Sequence, residues 1–464
     1  MRFWTDLAVV DLLVLCAFIV IARMIAARMP GYRKLALPPA VLAGALALLF
    51  GPSGLDIVPL GTHSLEAIVY HGLALVFISM GLQAVGPGGG GLGSRSVAIG
   101  IPFLTCAQAV FGLLVVLGWS ATVGQLHPGV GLMLPLGFSQ GPGQALSMGS
   151  AWEEMGMVSG GQVGLTIAAL GYVVCIAFGL AMFHAARRFG WADDPEHGRL
   201  ASDGDAAPAP GRRTDNGSGL EPLMGQSAVV GTVYLGVFAT LVALSGTLDD
   251  KPQLAAMIWG FHFLFAIIYA TVVRGSLRLL KWEGATDDAL LARLAGVAVD
   301  LTAAGAIAAI QVEQVAAFIG PIMALVVPGA LATLLSCLWL AKRAFPERPF
   351  SHALVMFGTM TGTLPTGMTL LRLEDPDLRG PAARSMVVGV ALSIVPAAPL
   401  LLKLLPMPVF GWPESFPSAV WTTVALLIAY MGLLAVLWRL FGPLRMVGSP
   451  FTLWPQQHHP LRKG

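Results

Sequence analysis

The sequence predicts an all-α polytopic membrane protein built as an inverted-topology repeat: five spans and one re-entrant hairpin per half, plus one extra C-terminal span. Three observations carry this. Hydrophobic residues make up 56% of the 464-residue chain, charged residues only 11%, and the mean hydropathy is +0.77, whereas a soluble chain is roughly 25% charged. A series of apolar stretches, each near the ~20 residues that a bilayer core demands, runs along the chain. A polar segment near the middle then divides it into two halves of similar layout. This composition excludes a soluble enzyme, a disordered chain and a nucleic-acid binder; the net charge of +2 offers no basic surface for DNA or RNA.

The expected spans, in order, are 6–28, 35–51, 64–85, 96–118, 161–184, 226–246, 253–273, 295–314, 317–341, 382–404 and 417–440. The first contains Asp11 and is followed, not preceded, by Arg28, Arg33 and Lys34. That polarity is the reverse of a cleavable signal, so the segment is expected to stay in the membrane. Two further apolar stretches, near 129–150 and 350–371, are too interrupted by Gly, Pro, Ser, Thr and Gln to be ordinary spans. They read as hairpins, 129–158 opening outside and 350–372 opening inside. The 190–225 segment begins with the longest polar run, Gly190 to Pro222. It has no apolar periodicity and is expected to be a disordered cytoplasmic linker. The first repeat is thus 1–189, the inverted second repeat 226–405, and the extra span with its cytoplasmic tail 406–464.

Charge sets the orientation. With the N-terminus outside and both broken stretches returning to the side they entered, only Arg2, Lys251 and Lys403 of the 27 Lys and Arg fall outside. A full crossing by either stretch would invert every later loop and destroy that asymmetry. The C-terminus is then cytoplasmic.

Shifting the first half by about 220 residues superimposes the features. Pro102 lands near Pro321, and Ser139–Gln144 lands on Thr359–Leu364. Five spans is an odd number, so the second half enters upside down. Inverted repeats with broken helices mark secondary transporters, whose sites lie where the breaks meet. No GxxxxGK[ST] or HExxH pattern is present, which argues against ATP-driven transport and metal-dependent hydrolysis, and the chain is expected not to be an enzyme. Cys16, Cys106, Cys175 and Cys337 sit singly in apolar runs, so neither disulfides nor zinc are expected, and no cofactor is.

The candidate site residues come from the two breaks. In the first they are Ser139, Gln140, Gly141, Gly143 and Gln144; in the second, Thr359, Thr361, Gly362, Thr363, Pro365 and Thr366. Glycine allows close backbone approach, and proline frees a carbonyl by removing a donor. Freed carbonyls and hydroxyls suit a hard cation, here Na⁺ near Ser139, Gly141, Thr361 and Thr363. Amides at the start of a half-helix suit a carboxylate. Outside the breaks, Asp300 fits an ion or proton role or a solvated helix start. Arg384 fits inside anchoring or a bidentate pair with a carboxylate. His71 and His262 are expected to bond to neighbours in the bundle, and Gln108 and Gln162 to join helices. Glu153 and Glu154 close the first hairpin, either drawing cations or ending a helix.

Ser139-Gln140-Gly141-Pro142-Gly143 resembles the Ser-Gly-Gly-His-Gly loop of bacterial sodium/glutamate symporters. Gly358, Gly362, Pro365 and Thr366 are similar to that family's second loop, Gly-Phe-Gly-Leu-Gly-Ala-Thr-Pro-Thr, and Pro38-Pro39-Ala40-Val41-Leu42-Ala43-Gly44 to its Pro-Glu-Pro-Val-Ala-Gly-Gly run. The resemblance covers the layout of residues 1–405 and is sparse in identity. It implies a homodimeric sodium symporter of a small anionic substrate, L-glutamate first, in a bacterial inner membrane, with each half supplying one re-entrant loop. Pro142 stands where the family has His, Gln140 replaces its second Gly, and Thr359 and Met360 replace the second loop's Phe and Gly. These departures leave proton coupling, another organic acid or amino acid, and a non-transporting membrane sensor as alternatives.

Overall fold

A computed structural model describes residues 7–83, 91–192, 221–378, 380–442, 444–445, 449 and 451–454. Most of the expected linker, 193–220, lies outside the described residues. Every regular element among the described residues is helical. They are α1 (Leu7–Arg28), α2 (Pro39–Phe50), α3 (Thr62–Leu82), α4 (Leu92–Thr122), α5 (Pro128–Pro135), α6 (Pro142–Glu153) and α7 (Gly160–Phe189). There follow α8 (Glu221–Gly246), α9 (Pro252–Gly260), α10 (His262–Leu279), α11 (Asp288–Ala308), α12 (Val312–Ala316), α13 (Ile319–Ala344), α14 (Pro349–Leu371), α15 (Pro381–Pro399), α16 (Met407–Phe410) and α17 (Ser418–Phe441). Eleven helices among the described residues are long and apolar enough to cross a membrane, and the chain is a multi-pass α-helical membrane protein.

The eleven are not the expected eleven. The 35–51 span is a 12-residue helix, α2, about 18 Å long at 1.5 Å per residue. Pro38 is extended at φ −62, ψ 135, and Pro39, which lacks an amide to donate, takes the first helical position, where none is needed; the chain turns at Gly51. α2 packs by Gly44 onto α11, where a methyl group would sit 2.7 Å from the Ala304 carbonyl oxygen. The 253–273 span is two helices. The Trp259 carbonyl accepts from the Tyr70 hydroxyl at 2.8 Å and faces His262 Nδ1 at 3.2 Å. The chain bends at Phe261 rather than running on as one helix. The 295–314 span ends at Ala308 and resumes as the short α12.

In place of α2, α14 joins the helices that qualify by length. It is nevertheless folded back on itself. A methyl at Gly358 would lie 2.6 Å from Gly367 Cα, and one at Gly367 would lie 2.6 Å from the Val355 carbonyl. Along a straight helix nine residues span about 13.5 Å. The two arms, 349–362 and 364–371, therefore lie against each other. α5 and α6 form the other hairpin, with Gly129 against Trp152 across its base.

The hairpins occupy the core. α4 presses on α5 through facing backbones, Gly112 against Gly131, and α7 on α6 through Gly149 and Gly160. Small residues permit this approach, which stabilises helix pairs where lipid supplies no hydrophobic force. At one end, α17 anchors to α4: Trp438 Nε1 donates to Ser96 Oγ at 3.1 Å, and Ser96 Oγ to the Ala344 carbonyl at 3.2 Å. Beside it the buried Arg343 stacks on Trp339 and donates to the Ser449 and Thr452 carbonyls at 3.0 and 2.8 Å. The C-terminal segment is thereby tied to the end of α13.

Candidate functional site

Each hairpin breaks at its tip, and each break turns on one residue of positive φ and extended ψ. In the first, α5 widens into a π-helical turn, Leu136–Gln140, and Gly141 follows at φ 92, ψ 176. Pro142 removes one amide and disfavours a helical residue before it, while glycine accepts the positive φ. In the second, Thr363 takes φ 72, ψ 166 between Gly362 and Leu364, with Pro365 two residues on. A β-branched residue here is strained by about 1–3 kcal/mol. Gly141 and Thr363 hold the same place within their breaks, 222 residues apart.

That register extends outward. Ser139 Oγ donates to the Pro135 carbonyl at 2.9 Å, and its equivalent Thr361 Oγ1 donates to the Phe357 carbonyl at 2.8 Å. Both hydroxyls sit two residues before their break and bond four residues back, so each keeps oxygen lone pairs for another partner. The tips touch: a methyl at Gly141 would lie 2.6 Å from Thr363 Cγ2. Thus a helix C-terminal end and a half-helix N-terminal start come together twice at one place. Amide and carbonyl ends of both signs are present there.

The surrounding helices hold the tips. From α4, Gln108 Nε2 donates to the Met360 carbonyl at 2.8 Å and to Thr333 Oγ1 of α13 at 3.0 Å. Met360 lies just before the break, where its own helix offers no amide four residues on. Thr105 Oγ1 lies 3.5 Å from Ser139 Oγ. From α7, Gly171 lets the Thr361 carbonyl approach to 2.4 Å of where a methyl would be. The buried Tyr172 lies against Gly362, and Cys175 Sγ donates to the Gly358 carbonyl at 3.7 Å. α3 places Leu73 against Gly143.

Ser139, Gln140, Gly141, Thr361, Gly362 and Thr363 therefore lie at or beside the junction, Ser139, Gln140 and Thr363 being half-buried. Thr366 is buried against Gly362, and Pro365 is exposed. Gln144 is buried one turn into α6, its Oε1 without a hydrogen-bond partner. Thr359 lies between the arms, against Gly367, and bonds to its own Val355 carbonyl. Asp300 and Arg384 are placed elsewhere. Asp300 pairs with Arg23 of α1 at 3.0 Å on an exposed surface. Arg384 is exposed in the first turn of α15.

Gln108 and Gln162 join helices as expected; Gln162 reaches Glu66 at 2.7 Å and the Ala309 carbonyl at 3.2 Å. His71 bonds the Tyr234 hydroxyl, and His262 stacks on Tyr70. Glu153 accepts from the Gly161 amide at 3.0 Å. The four cysteines are free. Tyr172, Cys175, Gly171 and Thr333 are junction residues that sequence reasoning missed. Only the α7 run of small residues around Gly171 hinted at a close approach. His127, in the loop before α5, takes the Gly129 amide on Nδ1 at 3.1 Å, and burial pulls its pKa down to about 4.

No group of three or more His, Cys, Asp or Glu side chains able to hold a metal occurs among the described residues. Any cation at the junction would be held by hydroxyl and carbonyl oxygens. Comparison with protein-family models, with curated proteins and with solved structures gave no match.

Proposed function

We propose that this chain is a sodium-coupled secondary transporter of a small anionic solute, with L-glutamate the first substrate to test, working by alternating access around the two hairpin tips. One observation carries the reading: two breaks, each turning on one residue of positive φ and extended ψ, in hairpins from different halves of the chain, meet tip to tip. Equivalent hydroxyls two residues before each break support the inverted repeat. In this reading Na⁺ binds lone pairs of Ser139 and Thr361 and carbonyls freed beside Gly141 and Thr363, a donor set suited to a hard ion. The solute's carboxylate takes the amides of Gly143 and Gln144, which open α6 and have no partner in their own helix. Strain at Thr363 supports a tip with two arrangements, since a strained backbone persists only while its surroundings enforce it.

The test is uptake of labelled solute by proteoliposomes. Accumulation should require an inward Na⁺ gradient and stop when that gradient is dissipated. Undiminished uptake in sodium-free buffer under a proton gradient would move the coupling to protons. Saturable binding without accumulation under either gradient would make the chain a sensor instead.

A further inference from the structure

At the end of the bundle away from the tips, three helices begin side by side. α4 and α15 run parallel: Gly93 meets Ser385, and Val97 meets Gly389. The first arm of α14 runs with them, His352 lying near Gly93 and Met356 near Gly100. None of the three N-termini is capped by the side chain of its N-cap residue, which is Gly91, Arg348 and Gly380 respectively. Asp375 takes the Gly380 amide at 2.7 Å, leaving the amides beyond Pro381. Three parallel helix starts sum their positive ends in one place.

A second feature points into the same place. His352 is 2% exposed and stacks on Phe345, ring centroids 4.2 Å apart. Its Nδ1 lies 2.9 Å from the Arg348 carbonyl, to which it can only donate. Nε2 therefore carries a lone pair, and it has no hydrogen-bond partner. It lies 3.8 Å from where a methyl on Gly93 would be, a position itself 2.4 Å from Ser385 Oγ. A buried polar atom without a partner is costly. A guest that satisfies it must bring a hydrogen, while the helix starts favour negative charge.

We infer that the starts of α4, α14 and α15, with His352 and Ser385, form a binding site for a phosphate-class oxyanion. A protonated phosphate group meets both demands: its O–H donates to Nε2, and its charged oxygens accept from the amides. Sulfate has the charge but no O–H near neutral pH. The phosphate can be free in solution or be the monoester headgroup of phosphatidic acid, which keeps an O–H near neutral pH where a phosphodiester headgroup has none; the site lies at the end of the spans.

The experiment uses the full-length purified protein and reads thermal unfolding. In detergent, potassium phosphate is titrated at constant ionic strength against potassium chloride and potassium sulfate. In parallel, nanodiscs containing phosphatidic acid are compared with nanodiscs containing phosphatidylglycerol, an anionic phosphodiester, and with nanodiscs of phosphatidylcholine. Saturable stabilisation by phosphate above that by sulfate, with affinity falling about tenfold in His352→Leu, is the result expected of a free anion. Stabilisation by phosphatidic acid alone, above that by phosphatidylglycerol and lost in His352→Leu, assigns the lipid source. Should His352→Leu fail to fold, Ser385→Ala must weaken the same response. No saturable response in either arm, or one that both variants leave unchanged, means that the space holds only water and overturns the inference.

Discussion

Replacing Gly141 by Ala puts two separable stresses on the junction. The backbone stands at φ 92, ψ 176, a region that only glycine enters freely, so any side chain costs about 1–3 kcal/mol. The new methyl would also lie 2.6 Å from Thr363 Cγ2. Overpacking of that order costs a further 1–3 kcal/mol or so. Together these disfavour the touching arrangement by roughly 2–6 kcal/mol, and at 1.4 kcal/mol per decade even the low end shifts its population about thirtyfold. Thr363→Ser, which removes Cγ2, should recover the steric share in the double variant and leave the backbone share.

The assay is the labelling rate of a cysteine at Ser139 by an impermeant thiol reagent, with the four native cysteines first replaced. The tips should separate in Gly141→Ala, so labelling should quicken by at least about tenfold, and Gly141→Ala/Thr363→Ser should fall between it and the parent. Gly118→Ala is the control. Gly118 lies within α4 with nothing within 4 Å of an added methyl, and Ala in place of Gly favours a helix by up to about 1 kcal/mol. Gly141→Ala labelling no faster than Gly118→Ala would show that the tips do not hold each other, and the argument for a shared site would fail there.

Three further outcomes are expected. Gln108→Leu removes the donor to the Met360 carbonyl and to Thr333, leaving a buried carbonyl unpaired; the cost is about 1–3 kcal/mol, read as a lower unfolding temperature, and a temperature equal to the parent's would remove Gln108 from the support of the second tip. His127 is pulled down to about 4 from an ordinary 6.5 by burial, so its stability contribution is full above pH 6.5 and is lost as pH falls toward 4. Thermal stability should therefore drop by roughly 2 kcal/mol between pH 7 and pH 5, and His127→Asn, which can still take the Gly129 amide, should flatten that drop. Reporter fusions after Arg213 and after Leu461 should both read cytoplasmic, and a periplasmic signal from either contradicts an orientation in which both hairpins return.

Hydropathy found most of the long helices because it measures the property that decides them, apolar length. It could not see that the Trp259 carbonyl accepts from the Tyr70 hydroxyl of another helix beside the stacked His262, and so ran α9 and α10 together. It overran α2 because a window averages through Pro38 and Pro39. The breaks were legible for a different reason. Gly141-Pro142 and Gly362 with Pro365 are residues that a continuous helix rejects, so their presence at membrane depth signalled irregular backbone before any coordinates did. The partners of the breaks were not legible. Tyr172, Cys175 and Thr333 read as ordinary residues of apolar helices, and only folding brings them against the tips.

Thr363 is the residue at which sequence rules and structure disagree most. At the first break glycine takes the positive φ without strain; at the second, glycine stands one residue too early, and threonine takes it instead. A chain needing only a turn there would relax by rotating Gly362 into the positive region. The structure keeps Gly362 at φ −151 and strains Thr363, because Gly362 is buried against Tyr172 and Thr366, and Thr363 Cγ2 is the atom that reaches Gly141. The contact between the tips and the strain behind it therefore belong to one device: glycine on one side gives room, and threonine on the other fills it. Exchanging the two, with Gly141→Thr and Thr363→Gly, keeps composition and moves the methyl to the opposite tip. Relief of strain at Thr363, worth about 1–3 kcal/mol, should then be offset by equal strain at 141, and stability should stay near the parent's. Thr363→Gly alone should raise the unfolding temperature while opening the junction to the thiol reagent, and a lowered temperature would show that Thr363 is not strained.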